Sequence, residues 1–288
     1  MRTYYTQSRM MTRRDFHRAA TAAALSSSVL FAKPDSVIHG VQLGAQSYSY
    51  RDRPLDAAIA GMLENGLSEC ELWSGHVEPK SDVHKWRETV SLDEFKKVRE
   101  KFDAAGIKLY AYNYSFRDNF SDKEMARGFE MAEALGVGVI TASSNVTTAR
   151  RVDPFARKAR IRVGFHNHSN MHDNEFNTPE SFAKALAGGS QYLGINLDIG
   201  HFTAAGFDAP AYLAQHHDRI VTLHLKDRKK NQGDNMPFGQ GDTPIKPVLQ
   251  LLKKHKWKIP ANIEYEYKGG DTIAEMNKCV AYCKAALA

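Results

Sequence analysis

Val163-Gly-Phe-His-Asn-His168, Gly194-Ile-Asn-Leu-Asp198, Val221-Thr-Leu-His-Leu-Lys226 and Asn262-Ile-Glu-Tyr-Glu266 are four alternating stretches in the second half of the chain, each ending on a group able to bind a metal. In a strand, residues two apart share a face. Phe165, Ile195, Leu197, Val221, Leu223, Leu225, Ile263 and Tyr265 therefore fall on one face. The other carries Gly164, His166 and His168, then Asn196 and Asp198, then Thr222, His224 and Lys226, then Asn262, Glu264 and Glu266. An apolar face toward covering helices and a polar face toward a shared centre is the pattern of a closed parallel sheet. Histidines, an aspartate and a glutamate at its carboxyl end can hold a divalent ion against an oxygen-rich ligand.

Working outward, the same reading predicts eight strands: 41–47, 67–73, 107–113, 137–142, 161–168, 192–198, 219–226 and 259–266. Helical periodicity separates them at 54–65, 91–105, 122–135, 147–159, 178–187, 209–217, 244–255 and 271–286, several with Ser, Thr or Asp at the start and Gly near the end. Eight strand–helix pairs imply an α/β fold, a single-domain (β/α)8 TIM barrel. A doubly wound sheet is the alternative, but a glycine-rich phosphate turn after the first strand is absent. Long segments after strands, 74–90, 114–121, 169–177 and 227–242, crowd the carboxyl face, where functional loops collect. With the adjacent strand ends they offer Trp73, Trp86, Tyr114, Phe116 and Phe238 for stacking on a ring or for loop packing.

The 288 residues are 42% hydrophobic and 25% charged, an ordinary globular composition. Of the formal +6 charge, five arginines against Asp15 before Lys33 account for +4, which leaves +2 for the rest. That excludes a nucleic-acid reading from charge, and no basic run interleaved with aromatics supports one. The leader, residues 1–32, carries Arg13-Arg14 in a twin-arginine pattern. The small, apolar run from Ala19 to Ala32 that follows is too short to span a bilayer. Export to the periplasm is expected, with no stable membrane insertion beyond an uncleaved leader. Cys70, Cys279 and Cys283 imply no disulfide framework, since three cannot all pair and the last two lie on one helix.

Phe165-His-Asn-His168, Asp198-Ile-Gly-His201, His224-Leu-Lys-Asp227, Pro237-Phe-Gly-Gln-Gly241 and Ile263-Glu-Tyr-Glu266 resemble the sugar isomerase/epimerase superfamily of xylose-isomerase-like barrels, which includes ketose 3-epimerases and inosose dehydratases. The resemblance runs from Val37 to the end, a barrel domain of residues 37–288. In that family, strands five to eight supply Glu, Asp, His and Glu to a manganese, cobalt, magnesium or zinc ion. By position the resemblance implies His166, Asp198, His224 and Glu264 as ligands here. It also implies a sugar, keto-sugar, sugar phosphate or cyclitol as partner, in a monomer or homo-oligomer, and proton abstraction beside a carbonyl.

The chain departs from the pattern by placing His166 where the family has a glutamate, so symmetric two-base epimerisation is in question. Glu264, His168 and His166 are the candidate catalytic groups, and His168 can equally be a ligand or a supporting hydrogen-bond partner. His201, Lys226, Glu71, Gln46 and Glu266 are candidate substrate-binding residues. Lys226 and Glu266 can also pair with each other at the rim, and Glu71 and Gln46 can fill a barrel layer. A dehydratase or other lyase, such as a β-eliminating enzyme acting on inososes or 3-keto-glycosides, is the runner-up. A non-catalytic sugar-binding barrel and a phosphodiester-cleaving relative of apurinic endonucleases are further alternatives.

Overall fold

Alternation brings eight parallel strands into one closed sheet. In the computed structural model, which describes residues 34–288, these are β1 (Val41–Gln46), β2 (Glu69–Trp73), β3 (Lys108–Asn113), β4 (Val139–Ala142), β5 (Arg162–His166), β6 (Leu193–Asp198), β7 (Ile220–Leu225) and β8 (Ala261–Ile263). Each pairs with the next, and β8 pairs with β1, so the sheet has no open edge. The doubly wound alternative is thereby excluded. The leader lies outside the described residues.

Among the described residues, ten helices surround the barrel: α1 (Leu55–Glu64), α2 (Val83–Thr89), α3 (Leu92–Ala105), α4 (Asp122–Ala134), α5 (Thr148–Ala159), α6 (Pro179–Leu186), α7 (Ile199–Ala204), α8 (Ala209–His216), α9 (Ile245–His255) and α10 (Thr272–Leu287). Eight match the periodicity. The short α2 and α7 lie within carboxyl-face loops and carry too few turns to show a period. Their local caps explain the longer helices: the Ser91 and Ser121 hydroxyls accept from backbone amides of the first turn, and Thr178 and Ser181 close a capping box. Among the described residues, no helix is long and apolar enough to cross a membrane.

Between sheet and helices lies the main core, with Phe95, Phe102, Phe165, Phe176, Phe182 and Phe202 fully buried. Phe165, on the outward face of β5, stacks on Phe176 at 4.7 Å. All three cysteines are buried and unpaired.

Strict alternation fails in two places, and both shape the barrel floor. Ile195 pairs with Ile220 but Asn196 with Thr222, so Val221 is an extra residue on β7. On β3, Tyr110 is likewise skipped between Leu109 and Ala111. A bulge of this kind turns two successive residues to one side. Val221, expected on the helix-facing side, instead packs inside the barrel with Ala111, Val139 and Tyr110, and the Tyr110 hydroxyl donates to the Val221 carbonyl at 2.5 Å. Room for these side chains comes from glycines on the neighbouring strands: a β-carbon at Gly164 would run into the Val221 side chain, and one at Gly194 would meet it at 2.9 Å. Closing the floor leaves the polar ends of the strands to form a cavity only at the top.

Gly164→Ala should therefore destabilise the protein by about 1–3 kcal/mol through overpacking against Val221. Urea unfolding measures this, and a companion Val221→Ala change should recover much of the loss. Independent, additive costs would show that the two positions do not share this space.

Candidate metal and substrate site

The carboxyl ends of β5 to β8 bring His166, Asp198, His224 and Glu264 together, with one nitrogen or carboxylate oxygen from each lying within 4.8 Å of all the others. All four residues are buried. Their facing atoms, His166 Nε2, Asp198 Oδ2, His224 Nδ1 and Glu264 Oε2, make no hydrogen bond of good geometry. They stand instead within ionic reach of one another and of Lys226, with His224 Nδ1 at 3.0 Å from Glu264 Oε2, and their convergence on one point is the arrangement of a candidate metal centre. Two imidazole nitrogens and two carboxylate oxygens suit zinc or a divalent transition metal better than magnesium, which prefers oxygen alone.

The atoms pointing away from that centre are held firmly. Asn167 clamps Asp198 by accepting from its amide at 2.9 Å and donating to its carbonyl at 3.1 Å. Asp198 Oδ1 accepts from the His201 amide at 2.7 Å, capping α7 and turning Oδ2 inward. His224 Nε2 lies 2.9 Å from Glu71 Oε2, while Glu71 Oε1 accepts from Gln46 at 2.7 Å and from Thr141 at 2.6 Å. A carboxylate behind a histidine fixes which ring nitrogen faces the site. Glu71 is fully buried and absent from the cavity wall. Substrate contact, expected for it from its inward parity, is corrected to support of His224, because both its oxygens are taken up by His224, Gln46 and Thr141 and it does not reach the cavity. Gln46 also holds Glu71 but does reach the wall.

Above the cluster opens a cavity of about 360 Å³, small-molecule size. His166, His168, His201, His224, Lys226, Glu264 and Glu266 line it together with Gln46. β5 and β8 end at His166 and Ile263, earlier than alternation extends them, yet His168 and Glu266 still face the cavity.

Tyr48, Trp73, Asn113, Ser115 and Ser143 complete the wall. Asn113 ends β3 in inward register, so its position was open to the parity argument, as was Ser143 just beyond β4. Arg228 was legible only in space: its guanidinium bonds His201 Nδ1 and the Ser169 hydroxyl, each at 2.7 Å. Of the five aromatics flagged above, Trp73 alone lines the cavity, edge-on to Tyr48 at 5.0 Å. Tyr114 and Phe116 are fully buried, Trp86 packs against Phe95, and Phe238 meets Tyr282. These four hold loops down.

Two further devices fix the rim. Arg87 forms a bidentate pair with Glu78 at 2.7–2.8 Å and reaches Glu124 at 3.1 Å, tying together the segments after β2 and β3. Asp227 accepts from the amides of Gly239, Gly241 and Thr243, which shapes the loop after β7.

Charge in the cavity is tightly balanced. Lys226 Nζ lies 3.2 Å from Asp198 Oδ2, 3.0 Å from Glu264 Oε2, 2.5 Å from Glu266 Oε2 and 3.1 Å from His201 Nε2. Burial opposes its charge, but the three carboxylates outweigh burial and push its pKa up, so it remains an ammonium. Burial alone would raise the carboxyls of Asp198 and Glu264; Lys226, with His201 beside Asp198 and His224 beside Glu264, holds both well below the usual range. Glu71 and Glu264 overcome burial to raise His224. Burial, with His166 and Lys226 nearby, pushes His168 down to about 3, and burial with Lys226 lowers His201.

These shifts have a signed consequence for stability. A histidine depressed in the folded state takes up a proton on unfolding once the pH falls below about 6.5, so its stabilising share is lost from there down toward its folded pKa. For His168 the loss at pH 5 is about 2 kcal/mol. Urea unfolding of chelator-treated protein at pH 7.5 and 5 should show a drop smaller by that amount in His168→Gln than in the wild type. Equal drops would mean that the folded protein protonates His168 as readily as water does.

The chain matches known proteins over the same region. L-ribulose-5-phosphate 3-epimerase UlaE from Shigella flexneri is 26% identical over 185 residues, 57% of this chain and 63% of that protein, so the chain spans less than two thirds of its relative's length. Among solved structures, the IOLI protein with a bound zinc superposes with a TM-score of 0.68 at 17% identity, covering 86% of this chain and 98% of that one. A sugar phosphate isomerase/epimerase from Parabacteroides distasonis gives 0.64 at 18% identity, with 87% and 98% covered. Residues 64–283 match the model of the xylose isomerase-like TIM barrel family. The chain belongs to that family.

Proposed function

We propose that the protein is an enzyme, a divalent-metal-dependent sugar isomerase or epimerase that removes a proton beside a substrate carbonyl. The observation that carries this reading is the convergence of one ligand atom from each of the buried His166, Asp198, His224 and Glu264 beneath a small polar cavity. The epimerase relative and the zinc-bearing structural neighbour support it. When bound, the ion supplies Lewis-acid polarisation of the carbonyl and fixed positive charge for the oxygen left negative by proton removal. Manganese, cobalt and zinc suit the donor set, and its two imidazoles make magnesium the poorest fit of the family's ions.

The residues divide the work. Glu264, ionised throughout the working pH range, is positioned at the cavity wall to accept the proton. His168, on the cavity wall and held neutral by burial, serves as a hydrogen-bonding partner for substrate hydroxyls. His201, Lys226 and Glu266 present further polar atoms to the same hydroxyls, and Trp73 with Tyr48 offers an apolar surface for the carbon face of a ring. With His166 in place of a second carboxylate, proton removal takes place on one face only.

That same asymmetry favours one second reading. The Lys226 ammonium, 3.0 Å from Glu264, sets a fixed positive charge beside the base, where it would stabilise the oxygen departing in a lyase reaction.

Metal analysis and a screen of ketoses, inososes and 3-keto-glycosides in deuterated water test both readings. The wild type should hold one ion per chain and Asp198→Ala none. Deuterium should enter at one carbon, or an unsaturated product should form if the protein is a lyase. His166→Glu should keep the ion and gain epimerisation. Metal retained in full by Asp198→Ala would overturn the site, and rapid interconversion of both C3 epimers by the wild type would overturn the one-sided mechanism. Stoichiometric metal with no turnover would favour a binding protein.

We also propose that the leader directs export of the folded barrel. Changing Arg13 and Arg14 to Lys should retain the protein in the cytoplasm, and undiminished export of that variant would refute the assignment.

A further inference from the structure

Lys226 projects from the end of β7 one pleat beyond His224 and is 2% exposed. Two of the oxygens it approaches, Asp198 Oδ2 at 3.2 Å and Glu264 Oε2 at 3.0 Å, are carboxylate oxygens of the metal cluster's own residues. A divalent ion bonded to both, at about 2.0–2.3 Å, and an ammonium resting on both would crowd into one small volume. Like charges at such separation inside a protein repel strongly. Glu266 Oε2, at 2.5 Å from Nζ, lies outside the four-residue cluster and offers the ammonium a place that does not compete.

We propose that Lys226 is an internal counter-cation of the metal site: it bridges Asp198 and Glu264 when no divalent ion is present, and withdraws onto Glu266 when one binds. This rests on the metal reading above and adds a competition to it. The metal-free barrel keeps its buried carboxylates compensated and stays folded. Divalent ions bind less tightly than the four donors alone would allow, and the displaced ammonium is delivered to the edge of the cavity, where substrate oxygens lie.

The two residues at the ends of this movement give opposite expectations. Lys226→Met, similar in length and uncharged, should bind manganese or zinc about tenfold more tightly or better in calorimetric titration. Its chelator-treated form should melt below the wild type, with metal restoring it. Glu266→Gln removes the resting place and should weaken metal binding about tenfold. Unchanged or weaker affinity in Lys226→Met would overturn the proposal. If that variant does not fold without metal, Glu266→Gln decides, and unchanged or tighter affinity there would overturn it. A wild type that takes up no divalent ion would remove the metal reading itself, whereas a wild type that binds an ion alongside two unaffected variants would sink this inference alone.

Discussion

Ionised side chains at the carboxyl end of this barrel sit where water does not reach, and each must find its opposite charge within the protein. The ionic chain through Glu71, His224, Glu264, Lys226 and Asp198 meets that demand. A buried charge without a partner costs several kcal/mol, so breaking one link leaves its neighbours exposed to the full penalty. The chain runs across β2, β6, β7 and β8, and thereby ties strands distant in sequence into one electrostatic unit. Its members also face a common point with atoms to spare, which makes a structural necessity into a binding site.

The two ends of the barrel divide structure from chemistry by the size and polarity of what points inward. At the floor, bulged residues Tyr110 and Val221 fill the space that Gly164 and Gly194 leave. At the top, the inward residues are long and polar, and the loops above them are anchored by Arg87 with Glu78 and by Asp227 with three backbone amides. Rigid anchoring matters because a cavity whose polar groups must keep fixed geometry cannot rest on mobile loops. The same local chemistry serves twice at Asp198, whose one oxygen caps α7 while the other faces the cluster.

The family resemblance singled out His166, Asp198, His224 and Glu264 as ligands, while periodicity specified the fold class and put those four on the inward face, because a pleat of period two assigns faces wherever the strand is regular. Periodicity also placed His168, His201, Lys226 and Glu266 near the same centre. What it could not assign was anything that depends on one strand's register against another: the bulges at Tyr110 and Val221 break alternation through pairing with neighbouring strands. Glu71 shared the inward parity of the cavity residues, but its depth along β2 relative to His224 on β7 made it a support. The roles of Trp86, Tyr114, Phe116 and Phe238 likewise depended on loop packing, and Arg228 entered the site by a path that only the folded loop defines. Local pattern determines direction along one strand, whereas depth, register and the pairing of buried charges exist only between strands, and there the tertiary structure decided.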